Sequence, residues 1–518
     1  MKILIITGKQ SYPIIKKFVK SVKTHTIEIE EAPISVSAFL DESLTEEILG
    51  NKSILGYDLV LLPGFVQWDS TSLEEKFSVR IRKGPEFASE LPALFKDIEN
   101  VDLSNVIPAN RIIEYSGEDL YHQIIKEQYD IAKENLGVHT FYVNEKKSDL
   151  LIGRNLPPPI IAEIVNCTVK SDKSIIKKAK HYIDSGADII DIGCVSNKPN
   201  PVRVKEIIQM LRKNFNILLS IDSMDRSEIL IAVDMGIDMI LSLDIGNYND
   251  FIDIPKDIPI VILPTNIKEG IFPKNPETRI EKLQKLTKKL KSHGFTKIIA
   301  DPLLESPISP GICNSLESYF LYNKLPPNEQ IPLFFGISNV VELMDIDSVG
   351  INGLLASIAV EMGIGVLFTV EHSTKLFGGV RELKDSIKLN YLAKNKKTPP
   401  INQGLSLFKA KGKLNQKVPK INENNATFVN TLNQDYIPDN KGYFRIYINQ
   451  IARKIYVLFY SIKDSLLHIF IGDNAEAMSK EIITQNLTRD IYHLNYLGRE
   501  LNKAEMSLFL GKPYIQDE

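Results

Sequence analysis

The chain has 518 residues, of which 43% are hydrophobic and 25% charged, and its formal net charge is −3. This composition is typical of a globular protein, and the near-neutral charge provides no basic face of the kind that nucleic-acid binding requires. No apolar run approaches the roughly 20 residues that span a membrane, and three cysteines cannot form a disulfide framework. We therefore expect a cytoplasmic protein without nucleic-acid or membrane partners.

The segment 1–150 is predicted to form a Rossmann-like α/β domain. Its runs MKILIITG, HTIEIEEA and YDLVLLPGF have the apolar character of parallel strands, and YPIIKKFVKSVK at 12–23 has that of a crossover helix. Neither a GxGxxG nor a P-loop motif occurs in this segment, so it indicates no nucleotide. We interpret it as a packing or partner domain.

A second region begins at the proline-rich segment NLPPPI (155–160). Eight short runs rich in Ile, Leu and Val follow, and most of them are separated by amphipathic stretches such as SIIKKAKHYIDSG (174–186). The runs are IIAEIVN (160–166), DIIDIG (188–193), ILLSID (217–222), DMILSL (238–243), PIVILP (259–264), KIIADP (297–302), PLFFGI (332–337) and GVLFTV (365–370). Eight strand–helix units over about 200–250 residues predict a TIM (β/α)₈ barrel, which we place at 157–395.

The rest of the chain predicts a linker and a small third domain. The stretch 396–440 is polar and contains TPPINQG and NQDYIPDN, which are typical of a linker. The segment 443–461 then alternates like a β-hairpin, HIFIGD (468–473) has the character of a further strand, and two helical stretches follow. We therefore predict a small α+β domain at 441–518.

Two aspartates at strand ends are the main candidates for ligand binding. Asp222 ends the third barrel strand and Asp301 the sixth, and both strands are otherwise apolar, so both carboxylates should lie in a mostly apolar cup at the barrel mouth. A buried carboxylate needs a partner, and neither has a Lys or Arg beside it in sequence. They could accept the N–H groups of a flat heterocycle such as guanine or a pterin. The alternative is that they cap neighbouring loops.

Several motifs resemble one family at this point. Asn166-Cys167-Thr168 is similar to an Asn-Val-Thr on a first strand, and GADIIDIG with Ser196-Asn197-Lys198-Pro199 resembles GADIIDIGxxSTRP. SIDS and IIADP match the strands that carry the two aspartates. In motif order and spacing, residues 160–390 resemble the pterin-binding barrel family, which contains dihydropteroate synthases and methyltetrahydrofolate-dependent methyltransferases. The whole chain resembles archaeal dihydropteroate-synthase-related proteins with extra domains at both ends.

The resemblance implies a set of site residues. It assigns pterin binding to Asp222, Asp301, Ser242, Asp191 and His372, and catalytic roles to Asn339, Lys198 and Asn166. It implies no protein metal ligand.

The chain departs from the synthase pattern where cations are expected. Lys198 replaces an Arg, and the Lys and Arg of the last two strand motifs are replaced by GISN (336–339) and VEH (370–372). GISN and Glu163-x-x-Asn166-x-Thr168 instead resemble the methyltransferase branch. The resemblance thus implies condensation of a dihydropterin with an arylamine in archaeal folate or methanopterin metabolism. The alternatives are methyl transfer from a methyl-tetrahydropterin, or pterin binding without turnover in a regulatory or scaffold protein.

These alternatives differ in the cofactors and partners that they imply. All of them use a reduced pterin of the tetrahydromethanopterin or folate type. The condensation would call for Mg²⁺, and methyl transfer for a thiol or a corrinoid, the latter on a corrinoid protein. Members of the family often dimerise, so a homodimer is also expected.

Overall fold

A computed structural model describes residues 1–20, 22–112, 117–410, 439–450 and 452–517. The N-terminal unit is a four-stranded parallel sheet in the order β2-β1-β3-β4. Its elements are β1 (Lys2–Gly8), α1 (Tyr12–Val19), β2 (Thr26–Ala32), α2 (Glu42–Asn51), β3 (Leu59–Leu62), α3 (Thr71–Phe77), β4 (Ile81–Lys83), α4 (Leu91–Asp97) and α5 (Ala109–Ile112). The central strands β1 and β3 are buried along nearly their whole length, as expected for strands covered on both faces. The Rossmann-like α/β unit is therefore present.

A helix and a hairpin connect this unit to the barrel. They are α6 (Gly117–Glu134), β5 (Thr140–Tyr142) and β6 (Leu151–Gly153). Phe141, Val143 and Ile152 pack against apolar side chains inside the barrel, and Lys147 donates a hydrogen bond to the carbonyl of Gly236 at 2.7 Å. The hairpin thus closes the amino end of the barrel, so that ligands approach from the carboxyl end. By number it falls mostly in the predicted domain 1–150, whose boundary stays a prediction.

The central unit is a closed parallel barrel, as predicted. Its elements are β7 (Ile160–Ile164), α7 (Asp172–Asp184), β8 (Ile189–Gly193), α8 (Pro201–Asn214), β9 (Leu218–Asp222), α9 (Arg226–Asp234), β10 (Met239–Leu243), β11 (Ile260–Ile262), α10 (Pro276–Ser292), β12 (Ile298–Ala300), α11 (Ile312–Tyr322), β13 (Phe334–Gly336), α12 (Ser338–Val341), α13 (Ser348–Met362), β14 (Val366–Val370) and α14 (Gly379–Lys396). The strand order is β12-β11-β10-β9-β8-β7-β14-β13, and a parallel bridge between Ala300 and Leu333 joins the two ends. A short 3₁₀ turn at Tyr248–Phe251 stands where a helix would separate β10 from β11.

The barrel helices begin where the sequence supplies capping residues. Asn200 accepts a hydrogen bond from the backbone N–H of Arg203 at 3.1 Å, and Asn275 caps α10 in the same way at 2.9 Å. Each cap is followed by a proline, which suits the first helical position because its missing N–H would be unpaired there. These caps fix the point at which each loop from the barrel mouth enters a helix.

The C-terminal unit is an antiparallel sheet covered on one face by helices. Its elements are β15 (Tyr443–Asn449), β16 (Lys454–Tyr460), β17 (Leu466–Gly472), α15 (Ala475–Thr484) and α16 (Ile491–Leu510). Alternate residues such as Phe444, Ile455 and Val457 pack on the helices, which is the alternation expected of a half-covered sheet. Most of the predicted linker 396–440 falls on 411–438, outside the described residues. In the described ranges, no helix is long and apolar enough to cross a membrane.

Candidate functional site

The two ends of the barrel contain buried aspartates of two kinds. At the amino end, Asp238 accepts hydrogen bonds from Lys147 at 2.8 Å and from Arg212, so its charge is neutralised within the fold. At the carboxyl end, within the part of the chain that the structure describes, the buried Asp191 and Asp301 and the partly exposed Asp222 make no ion pair. Asp244, after β10, also lacks an ion pair, but its carboxylate accepts hydrogen bonds from Thr265 and from three backbone N–H groups. A buried carboxylate without a cation is unfavourable for stability, which makes Asp191, Asp222 and Asp301 candidates for ligand binding.

Three carboxyl groups meet on adjacent strands at the barrel mouth. Glu163 on β7, Asp191 on β8 and Asp222 on β9 have oxygens that all lie within 4.8 Å of one another. Glu163 and Asp191 are direct cross-strand neighbours, and Asp222 pairs with Gly193, two residues further along β8. Gly193 makes the approach sterically feasible, because a Cβ at that position would overlap the carboxylate of Glu163. We call these three residues the carboxyl cluster.

The carboxyl cluster has unused hydrogen-bonding capacity. Asp191 is fully buried, and Ser220 Oγ donates to its Oδ1 at 2.6 Å, while its Oδ2 has no hydrogen-bond partner among the residues that the structure describes. Glu163 and Asp222 are partly exposed, and their carboxylates accept no hydrogen bond from the described residues. A ligand that brings N–H donors or a cation would therefore satisfy groups that the fold leaves unpaired.

Burial and mutual repulsion favour protons on the cluster. Burial, reinforced by the nearby charge of Asp222, raises the pKa of Glu163 to about 7. Burial raises the pKa of Asp222 to about 6, and the pKa of Asp191 well above its ordinary value, with the charges of Asp222 and Glu163 adding to the effect. Carboxyl groups this close to one another cannot all be ionised at the same time. Near neutral pH the cluster therefore combines an ionised group with protonated ones.

Asp301 forms the second part of the site. The backbone N–H of Leu303 and the Tyr319 hydroxyl both donate to its Oδ1, at 2.8 and 3.0 Å. Burial raises the pKa of Asp301 to about 6, although these two hydrogen bonds oppose the shift. Because both partners use Oδ1, the other carboxylate oxygen remains available to a ligand.

A buried arginine shapes the loop that follows Asp301. Arg279 on α10 donates to the carbonyls of Pro302 and Leu303 at 3.2 and 3.0 Å and forms an ion pair with Glu305. The same loop reaches α12, where Asn339 Nδ2 donates to the Leu304 carbonyl at 2.9 Å. Arg279 thus holds the loop that follows Asp301 and contacts Asn339, and its charge is already paired with Glu305.

The structure brings only some of the predicted site residues together. Asp191 and Asp222 lie in the carboxyl cluster, and Asn339 on α12 donates a hydrogen bond to the loop that follows Asp301. The remaining residues lie around the mouth, with Ser242 partly exposed on β10 and Asn166, Lys198 and His372 exposed on loops. None of these four has a side-chain hydrogen bond or ion pair with the cluster in the described ranges. Their roles stay predictions.

The sequence analysis did not predict which residues surround Asp222. We expected an apolar cup, but Asp222 lies against two further carboxyl groups, Glu163 and Asp191. Glu163 appeared in the sequence only as part of a motif, and the available signal was a lone acidic residue inside the apolar run IIAEIVN. Alternation along one strand shows which of its residues point to the same face. It does not show which residues of neighbouring strands lie beside them.

Comparison with known proteins agrees with this architecture. The family model for pterin binding enzymes matches residues 164–367, and a second model, PterinBD-DUF4346, matches residues 438–517. The uncharacterized protein MJ0107 of Methanocaldococcus jannaschii is 33% identical over 527 aligned residues, which cover 100% of this chain and 98% of that protein.

Similar solved structures are dihydropteroate synthases. The Yersinia pestis enzyme with a pterine-sulfa conjugate has a TM-score of 0.38 and 18% identity, covering 48% of this chain and 97% of that one. The Xanthomonas albilineans enzyme in complex with 7,8-dihydropteroate has a TM-score of 0.33 and 18% identity, covering 45% and 91%. The match from end to end with the archaeal protein and the family model over the barrel lead to one conclusion: the chain belongs to the pterin-binding (β/α)₈ barrel family.

Proposed function

We propose that the chain binds a reduced pterin at the carboxyl end of the barrel and catalyses transfer of a methyl group from the pterin N5. The observation that carries this proposal is the carboxyl cluster, a group of acids without a cation that retains protons near neutral pH. The sequence favoured condensation over methyl transfer. We reverse this order because the carboxyl cluster can supply a proton but no positive charge.

Pterin recognition rests on Asp222 and Asp301. One edge of a pterin carries an amino group beside a ring N–H, and these donors match carboxylate oxygens that the protein leaves free. The carboxylate of Asp222 accepts no hydrogen bond from the described residues, and that of Asp301 accepts them at Oδ1 alone. Its pKa of about 6 leaves Asp222 largely ionised at neutral pH, which suits an acceptor.

Methyl transfer requires a proton at N5. When the N5–CH₃ bond breaks, its electron pair stays on N5, and protonation of N5 makes the pterin a better leaving group. Glu163, whose pKa is raised to about 7, and Asp191, whose pKa burial raises well above its ordinary value, retain protons near neutral pH. Asn339 lies on the other side of the mouth, and its Oδ1, which accepts no hydrogen bond from the described part of the chain, can orient the ring. The acceptor, a thiol or a corrinoid, forms the new bond to the methyl carbon at the barrel mouth.

Condensation with an arylamine is the second candidate. Lys198 favours it, because its ammonium group is exposed at the mouth and makes no ion pair with the described residues. Other cations nearby are engaged, since Lys170 donates to the Val165 carbonyl, Lys178 pairs with Glu371, and Arg203 pairs with Asp172. A diphosphate leaving group would therefore lie near carboxyl groups, with few cations to stabilise its negative charge. This disfavours the condensation.

The two reactions make opposite demands on the carboxyl cluster. Its oxygens are donors of the type that Mg²⁺ prefers, so in a condensation they would hold the ion that neutralises the diphosphate. In methyl transfer Glu163 and Asp191 instead carry protons, and Asp222 is ionised. Titration with Mg²⁺ in the presence and absence of pterin separates these two states of the site.

The test begins with binding and ends with turnover. Titration calorimetry with a methyl-tetrahydropterin and a dihydropterin compares the wild type with Asp222→Asn, and with Asp345→Asn as a matched control because that carboxylate is exposed at the same end. We expect binding that is weakened in Asp222→Asn and unchanged in the control. Assays then follow methyl transfer to cob(I)alamin and thiols, and condensation with arylamines. Binding without turnover in either assay would favour a regulatory or scaffold protein and overturn the catalytic proposal.

A further inference from the structure

The carboxyl end of the barrel is surrounded by exposed apolar side chains. Six of its strand-to-helix loops and helix starts each present one, between 43% and 96% exposed: Val169, Val202, Met224, Phe272, Ile308 and Leu343. Among the described residues, the helix-to-strand loops at the amino end of the barrel present none, and the exposed apolar residues nearest that end are Leu136 before the hairpin and Ile401 after α14. Isolated exposed apolar residues are ordinary on protein surfaces, but a ring at one end marks an interaction surface. We call these six residues the mouth rim.

The C-terminal sheet has a second uncovered apolar surface. Tyr447 on β15 and Leu467, Ile469 and Ile471 on β17 are between 50% and 60% exposed, on the face that α15 and α16 do not cover. Tyr456 joins them across the sheet, because it pairs with both Tyr447 and Ile471. We call the four exposed residues the outer sheet face. A sheet normally presents polar residues on its solvated face, so this face is unusual.

The course of the chain brings the two surfaces within reach of each other. After α14 ends near the amino end, the chain returns along the outside of the barrel, and Lys409 forms an ion pair with Glu382 in the first turn of α14. Ser348, the first residue of α13, donates to the same carboxylate at 2.6 Å. Residue 410 therefore lies beside the mouth. Residues 411–438 lead from there to the C-terminal unit, and a chain of that length spans at most roughly 90 Å.

We infer that the C-terminal unit docks on the carboxyl end of its own barrel, with the outer sheet face against the mouth rim. Both surfaces are apolar, and the covalent connection gives docking an effective concentration on the order of millimolar. Docking would bury both surfaces and cover the carboxyl cluster. Closure would exclude water from a proton transfer at a bound pterin, and this role rests on the proposed function. The docking itself does not depend on it.

A distance measurement in the full-length chain tests the inference. Cys313, on the first turn of α11 beside the mouth rim, is the exposed one of the three free cysteines and accepts one spin label. Lys463→Cys, in the exposed turn between β16 and β17, accepts the other. We expect one narrow main distance by pulsed electron paramagnetic resonance. Ile469→Lys with Ile471→Lys should broaden it, because both side chains lie on the docking face.

Control samples make each outcome decisive. Ile483→Lys places the same charge on α15, at a side chain 50% exposed away from the outer sheet face, and should leave the distance unchanged. A broad distribution in the wild type, or a narrow one that survives the double substitution, would overturn the inference. Dilution with unlabelled chain should change nothing, and loss of the narrow distance on dilution would show docking on a second copy instead. Absence of pterin binding by calorimetry together with a narrow distance would remove the proposed function but not the docking.

Discussion

Glu163→Gln is expected to stabilise the protein at high pH, which would be unusual for a change at a mostly buried position. The pKa of Glu163 is raised from 4.5 to about 7, so between these values the folded chain keeps a proton that the unfolded chain has lost. Stability therefore falls as pH rises through this window. At 1.36 kcal/mol per pKa unit the full effect is about 3 kcal/mol, and relaxation around the cluster reduces it to between about 1 and 3 kcal/mol.

Urea unfolding at about pH 5 and about pH 8 measures this effect. Far-UV circular dichroism is the suitable probe, because the single tryptophan, Trp68, lies in the N-terminal unit. Glutamine is an isostere of the protonated acid, so we expect little change at the lower pH and stabilisation at the higher one. As a control, Asp238→Asn should lose about 3–5 kcal/mol at both, because it leaves Lys147 and Arg212 without their partner. If Glu163→Gln also destabilised the protein at both pH values, the carboxyl cluster would be a structural network and our reasoning would be refuted.

Further predictions concern the rest of the site. Asp301→Asn should weaken pterin binding by about 10–100-fold in titration calorimetry, because a charge-assisted hydrogen bond contributes about 1.5–3 kcal/mol; unchanged affinity would place the ligand elsewhere. Arg279→Met should lower the free energy of unfolding, measured in urea, by about 3–5 kcal/mol, since the carbonyls of Pro302 and Leu303 and the carboxylate of Glu305 lose their partner. Lys198→Met should leave the methyl-transfer rate within about 2-fold, because an exposed, solvent-screened charge contributes little, whereas a large loss would favour condensation.

The sequence was sufficient to predict the barrel because each strand is marked locally. Runs such as DIIDIG and ILLSID are short, apolar and separated by amphipathic stretches, and β8 and β9 lie where these runs predict. Helix starts were marked in the same way by Asn-Pro pairs at 200–201 and 275–276. All eight predicted strands occur in the barrel, since periodicity and capping are properties of neighbouring residues.

The site was predicted less completely because it depends on register between strands. Asp191 and Asp222 could be named from motifs, but the proximity of Glu163 follows from its pairing opposite Asp191 and from the missing side chain at Gly193. Contacts between residues far apart in the sequence could not be predicted either. The Arg279 contacts with the loop after Asp301 are one example, and the hairpin that closes the amino end is another.

The most direct test of the account is the pH dependence of pterin binding to the wild type and to Asp222→Asn. N–H donors favour the ionised carboxylate, so binding should release protons, and affinity should rise with pH through the Asp222 pKa of about 6. Asp222→Asn should bind at least about 10-fold more weakly and lose this pH dependence. Pterin binding that is equally tight in both proteins and has the same pH profile would contradict the claim that these strand-end carboxylates hold the pterin.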